Sequence, residues 1–324
     1  MKLRTVHLLA AALVTALPAT SACAQAYPNK PIRLVVPFAP GGNVDITART
    51  IAPELSNLLG QQVVVDNKPG AGGTIGANEV AKAAPDGYTL LMGSNSTISV
   101  APALYPANPY NPVRDFAPIS NLAQVPFVLV VNPGVTATNV RDLTALARDK
   151  PGTLSMASAG IGSSNHLVGE LFQAQTGVKL NHIPYKGSGQ ALNDLVAGQV
   201  NLLFDQLTSA SPNIKAGKLR ALAVSSSKRS ATLPDVPTFA EAGVANFDFV
   251  NVTGLLAPAG TPPDIISRLH AAAVKALESA AVRDRFAVMG VTPVGDRPDQ
   301  FAAFIRDDFA RWSKVVKDGN IKPE

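Results

Sequence analysis

Cysteine is nearly absent from this chain. Its one copy, Cys23, falls within the first 26 of 324 residues. That stretch reads as an export leader: Lys2 and Arg4 form a basic start, Val6 to Leu17 is an apolar core too short to span a bilayer comfortably, and Ala22-Cys23-Ala24 and Ala24-Gln25-Ala26 are small-x-small cleavage patterns. Cleavage before Tyr27 is expected. Lipid attachment at Cys23 is the alternative, disfavoured because Thr20 stands where such a signal wants an aliphatic residue. A chain cut after residue 26 has no thiol, which excludes disulfides, a thiolate nucleophile and cysteine metal sites. Long apolar runs are absent too; the longest later candidate, Phe127 to Val131, is strand-sized. Only 16% of residues are charged. Removing the leader lowers the formal charge from +5 to +3, with no basic cluster to track a phosphate backbone, so no nucleic-acid partner is expected. His182 and His270 have no histidine or carboxylate at metal-ligand spacing, and no metal or cofactor is expected.

Proline (26), glycine (25) and a 46% hydrophobic content are plentiful. Together they indicate many short connections around a packed core, enough for one large or two smaller domains. The organising stretch is Pro37 to Leu55. The apolar run before it reads as a buried strand, Pro40-Gly41-Gly42 breaks it, and Ile46, Thr50, Leu55 and Leu58/Leu59 carry a helix on to Gly60. Asn43 is expected to cap that helix and Asp45 to sit in its first turn. Such a junction presents backbone N–H groups to an anion.

The theme recurs. Strand Thr89 to Met92 leads into Ser94-Asn95-Ser96-Thr97, and strand Leu154 to Ala157, followed by Ser158, leads into Gly162, Ser163, Ser164 and a helix holding His166. A further strand leads into Tyr185-Lys186-Gly187-Ser188-Gly189, and strand Val200 to Phe204 ends at Asp205. The glycine run GAGGTIG at 70–76 lacks both the lysine of a P-loop and the acid of a dinucleotide site, so it is expected to serve close packing. YNPVRDFAPI reads as a connector. FVLVV and the later FDFVNVTGLLAP read as strands crossing between two halves. Alternating strands and helices predict α/β architecture with a mostly parallel sheet in each half, and ligands in such folds lie outside the carboxyl ends of the strands. Small neutral donors there suit a carboxylate.

PFAPGGNVDITAR, VVVDNKPGAGGTIGANEVAKAAPDGYTLLMG, YNPVRDFAPI, GSSNHLVGELF, IPYKGSGQALNDLVAGQV, FDQ, AGKLRALAV and GLLAPAGTP, in this order, resemble the tripartite tricarboxylate transporter solute-binding family, also called the Bug family. The resemblance covers nearly all of 27–324. It implies a periplasmic binding protein of two α/β domains, 27–126 with 250–324 and 127–249, joined by two crossing strands with the ligand cleft between them. It also implies a small carboxylate ligand and, as partners, a large and a small integral-membrane subunit; a monomer is expected. Carried over by residue, the first ligand loop is Phe38, Ala39, Pro40, Gly41, Gly42, Asn43 and Asp45, and the second is Ser94, Asn95, Ser96 and Thr97. The opposite domain supplies Ser158, Gly162, Ser163, Ser164, His166, Tyr185, Lys186 and Asp205. Two positions depart from the family pattern: Val44 replaces a hydroxyl residue, and Asn251-Val252-Thr253 stands where many members carry tryptophan.

No enzymatic activity is expected, since a hydrolase would need a nucleophile, a base and an orienting acid, and no G-x-S-x-G elbow occurs. A sensor that binds the same ligand but signals to a membrane kinase remains the competing function, because the difference lies in the outer surface.

Overall fold

The computed structural model describes residues 27–105 and 107–318. The expected leader, its cleavage site and Cys23 lie outside the described residues. Strand β1 (Ile32–Val36) leads into helix α1 (Asn43–Leu59), then β2 (Val63–Asn67), α2 (Thr74–Ala81), β3 (Thr89–Ser94) and a short α3 (Ala101–Leu104). The long β4 (Phe116–Val131) follows, then α4 (Val140–Asp149), β5 (Ser155–Ser158), α5 (Ser164–Thr176), β6 (Asn181–Pro184), α6 (Ser188–Val196), β7 (Leu202–Gln206), α7 (Leu207–Lys215) and β8 (Arg220–Val224). The chain closes with β9 (Val250–Pro258), α8 (Pro263–Glu278), α9 (Ala280–Val288), β10 (Thr292–Pro293) and α10 (Pro298–Asp318).

These strands form one ten-stranded network with the path β2-β1-β3-β9-β4-β7-β5-β6, with β8 and β10 also on β4. Within it, β1 pairs in parallel with β2 and β3, and β5 in parallel with β6 and β7. The crossing strands are antiparallel to their neighbours. β4 pairs with β9 from Phe116 to Pro126, then with β7 and β8 from its Phe127–Val131 end. The two half-sheets therefore share one continuous strand, and β9 returns alongside it. The segment YNPVRDFAPI, expected as a connector, ends in the first residues of β4. Its prolines hide it: Pro118 has no donor for a ladder and sits where the register slips between Pro118 and Ser120.

The first half packs β1 against α1 and α8 through fully buried Ile32, Leu34, Ile51, Leu55, Leu269 and Ala273. The second half is built on phenylalanine: Phe172 lies 5.2 Å from Phe204, and Phe239 lies 4.2 Å from Phe247, centroid to centroid. Each such side chain contributes roughly 1.5–3 kcal/mol by leaving water. No helix among the described residues is long and apolar enough to cross a membrane.

Candidate ligand cleft

The loops after β1, β3, β5, β6 and β7 all emerge at the carboxyl ends of parallel strands and meet between the two half-sheets. Four helix N-termini converge there. Asn43 of α1, Ser164 of α5 and Ser188 of α6 are first helical residues, Gln206 precedes α7, and all four line one cavity. Phe38, Val44 and Ala159 form its apolar wall, while Ser94, Ser96, Asn165 and Asn251 add hydroxyls and amides. No charged side chain lines it. Its empty volume is about 280 Å³.

The contact across the cleft is direct. The Ser96 and Ser164 hydroxyls are 3.0 Å apart, and the Ser164 amide donates to Ser96 Oγ at 2.8 Å. On the other side the Ala39 amide donates to the Lys186 carbonyl at 3.1 Å. Glycines make this approach feasible. A Cβ on Gly189 would lie 2.4 Å from the Pro40 carbonyl, and one on Gly72, at φ +61°, would lie 2.5 Å from the Ile161 carbonyl. The 70–76 run is thus divided. Gly76 serves the expected close packing, against Pro37 and the Lys68 carbonyl, whereas Gly72 faces the other half. Ser94 Oγ is buried and has no hydrogen-bond partner, an open acceptor and donor at the cavity wall.

Of the residues expected at the site, Phe38, Gly42, Asn43, Ser94, Ser96 and Ser164 line the cavity. The others stand behind it or on the seam. Asn43 is not the cap of α1: Gly42 takes that position in extended geometry, and the Asn43 side chain instead donates to Thr253 Oγ1 at 3.1 Å on β9. Asp45 is buried and faces away from the cavity. Its carboxylate accepts from the Gly41 amide (3.0 Å), Asn67 Nδ2 (3.0 Å) and Arg49 Nε (3.0 Å), and Asn67 also donates to the Phe38 carbonyl. This clamp fixes the Phe38–Gly42 turn, with Pro40 exposed and Ala39 facing Lys186. Thr97 Oγ1 closes its own turn on Ser94, and Asn95 is turned toward α10.

In the second half Ser163 caps α5, accepting the His166 amide. His166 is buried against His182, rings stacked at 4.2 Å, and the Gly162 amide donates to its Nδ1. Burial, helped by His182, pushes its pKa down to about 3, so it is neutral at physiological pH. Ser158 Oγ lies 2.7 Å from His182 Nε2, a distance a hydrolase nucleophile and base would share. Ser158, however, is fully buried and does not line the cavity, and its hydroxyl also accepts the Gly160 amide. Tyr185 donates to Asp194 at 2.7 Å, and the Lys186 side chain is exposed. Asp205 is completely buried behind Asn165 and Ser209, which donate to it at 3.2 and 2.6 Å. Burial raises its pKa to about 6 against the pull of those hydrogen bonds. Its place is that of a support for Asn165, not a wall residue.

Ser188, Gln206, Asn165 and Asn251 line the cavity without having been assigned to it from the sequence. The signal for three of them was present, since each sits at a strand-to-helix junction. Asn251 needed the fold, because only β9's return places it on the cleft floor, 3.4 Å from Ser164 Oγ.

The comparisons agree with this architecture. A family model described as tripartite tricarboxylate transporter family receptor matches residues 47–321. Protein BugT of Bordetella pertussis is 43% identical over 311 residues, 96% of this chain and 95% of that protein. Among solved structures, one described as a periplasmic transporter superposes with a TM-score of 0.90 at 46% identity, covering 92% of this chain and 99% of that one. An R. palustris protein with adipate gives 0.88 at 38% identity over 92% of this chain and 100% of that one. MatC from Rhodopseudomonas palustris with bound malate gives 0.87 at 36% over 90% and 100%. With a family match across most of its length and relatives alike from end to end, this chain belongs to the tripartite tricarboxylate transporter receptor family of periplasmic solute-binding proteins.

Proposed function

We propose that this protein captures a small molecule bearing one or two carboxylates between its halves in the periplasm and delivers it to the two membrane subunits of a tripartite tricarboxylate-type permease. The observation that carries this reading is the convergence of four helix N-termini on a cavity with no charged side chain. A helix N-terminus offers backbone N–H groups and about half a positive charge. A carboxylate accepts several such bonds without a buried counter-ion. An apolar wall of Phe38, Val44 and Ala159 fits the hydrocarbon body between carboxylates better than a hydroxyl-rich sugar. The solved relatives carrying adipate and malate support a dicarboxylate.

On this reading residues 1–26 are removed on export, and 27–126 with 250–324 move against 127–249 as a monomer. The ligand enters an open form, and contacts to both halves select the closed one. The protein has binding work only; the permease does the transport.

A thermal-shift panel on the protein freed of bound solute by refolding tests this. A carboxylate at a hundred times its Kd stabilises the folded state by about 2.7 kcal/mol and raises Tm by a few degrees. Shifts with mono- or dicarboxylates, diminished by Ser164→Ala and Ser96→Ala, are expected. Shifts with sugars or nucleotides alone would overturn the reading.

A further inference from the structure

The carboxyl-terminal helix α10 buries one stripe, Phe301, Ile305, Asp308 and Trp312, spaced four, three and four residues apart. Three of these are apolar and one is an aspartate only 4% exposed. Asp308 is in use. Its Oδ2 accepts from Asn95 Nδ2 at 2.8 Å and from Ser99 Oγ at 2.6 Å, and its Oδ1 accepts from Arg311 Nη2 at 2.8 Å. Asn95 in turn offers its side-chain carbonyl to the Val252 amide on β9. The next residue, Ser96, meets Ser164 across the cleft.

We infer that Asp308 is a positioning residue for ligand capture: it holds Asn95, and through Asn95 it sets Ser96 at the height where the two halves close on the ligand. This rests on the solute-binding reading above. The physical argument has three parts. A buried carboxylate is costly unless fully bonded, so its retention in an apolar stripe needs a return. Its two neutral donors both come from the turn that carries Ser94 and Ser96, and charge-assisted bonds of this length are the strong kind. The charge is matched by Arg311, so the acid can organise the turn beside an anion site without leaving an unpaired negative charge there. Trp312, one turn on, shares an apolar cluster with Val100, Leu104 and Leu167, so the helix that anchors the turn and α5 just beyond Ser164 belong to one packed group.

Hydrogen exchange and ligand titration on the mature protein test the inference together, using Asp308→Asn, Asn95→Ala and the double variant. Asp308→Asn turns one acceptor oxygen into an N–H and removes the charge, so either the Asn95 and Ser99 donors or Arg311 lose their acceptor, and the bonds that remain lose their charge assistance. Exchange at 94–99 in the ligand-free protein is expected to quicken about tenfold while β1 and β5 keep their protection. With malate and adipate as probes, the Kd of each single variant, measured well below its Tm, is expected to rise about tenfold, and that of the double variant no further, since one acts through the other. A lower Tm with Kd and loop exchange unchanged would make Asp308 a mere stability element and overturn the inference. So would additive losses in the double variant. If the unaltered protein takes neither acid, the dicarboxylate reading fails, and exchange at 94–99 alone decides whether Asp308 positions the turn.

Discussion

The two walls of the cleft do the same job with opposite materials. In the first half the Phe38–Gly42 turn is tied down by an ion pair, the Asp45 carboxylate and the Arg49 guanidinium, bridged by the neutral Asn67 amide. In the second half the Gly162–His166 turn is held by neutral groups: the Ser163 cap, the uncharged His166 stacked on His182, and Ser158. Both place a helix N-terminus at the cavity, the first amide of α5 being given to Ser96 Oγ across the seam. Burial explains the choice. Arg49 is half exposed at the rim, so its charge stays hydrated while it pairs with Asp45, whereas His166 is enclosed and an ion there would have to shed its water. A positive dipole end can thus be presented from either kind of support, provided that no net charge is stranded behind it.

Breaking the ionic side should cost most. Asp45→Ala removes three accepted bonds, one from a guanidinium, and is expected to lower stability by about 3 kcal/mol and Tm by several degrees; calorimetry checks it. A loss no larger than that of Ser163→Ala would erase the contrast. The seam between the walls comes next. Gly189→Ala places a methyl 2.4 Å from the Pro40 carbonyl across the seam. Carboxylate affinity should fall by about tenfold to a hundredfold with little change in the Tm of ligand-free protein, as overpacking costs roughly 1–3 kcal/mol of closure. Isothermal titration reads the affinity, and small-angle scattering reads the failure to close.

The neutral wall is sharpened by pH. The folded-state pKa of His166 lies below its unfolded value, so its stabilisation is complete above about pH 6.5 and is lost as pH falls toward 3. Each pH unit in that window costs about 1.4 kcal/mol. Asp205 runs the other way: its raised pKa means stability is gained as pH drops from about 6 toward 3.8. Denaturant midpoints between pH 7 and 4 for His166→Gln and Asp205→Asn should separate the two, the first variant losing the acid penalty and the second the acid gain. An unchanged profile in His166→Gln would show that the histidine is not held neutral. Smallest of all, Ser163→Ala should cost about 1 kcal/mol, the worth of a helix cap, read from the same midpoints.

Much of the site was legible because strand-to-helix junctions leave a local mark. Gly42, Ser96 and Ser164 announce themselves as breaks between an apolar run and a helical pattern, and a backbone N–H needs no distant partner to be presented. Asp45, Asn95 and Asp205 were legible as residue types but not as roles. A polar side chain near an anion loop reads as a contact until the fold shows Arg49, Asp308 or Ser209 on its far side. Asp308 left a signal that only the buried stripe explains, an aspartate at the third of four inward positions in α10. β4 was half hidden because proline suppresses strand character in a sequence, while a bulge restores it in the sheet.

The sequence by itself determined the alternation of strands and helices, the glycine breaks between them and the neutral donors at those breaks, since these follow from local periodicity and backbone freedom. Only the tertiary structure decided which donors face the cleft, which acids stand behind it and that Asn251 forms its floor. Those outcomes depend on contacts such as Asn43 to Thr253 and Asn95 to Asp308, made between residues some two hundred positions apart, and no local pattern encodes a pairing across that distance.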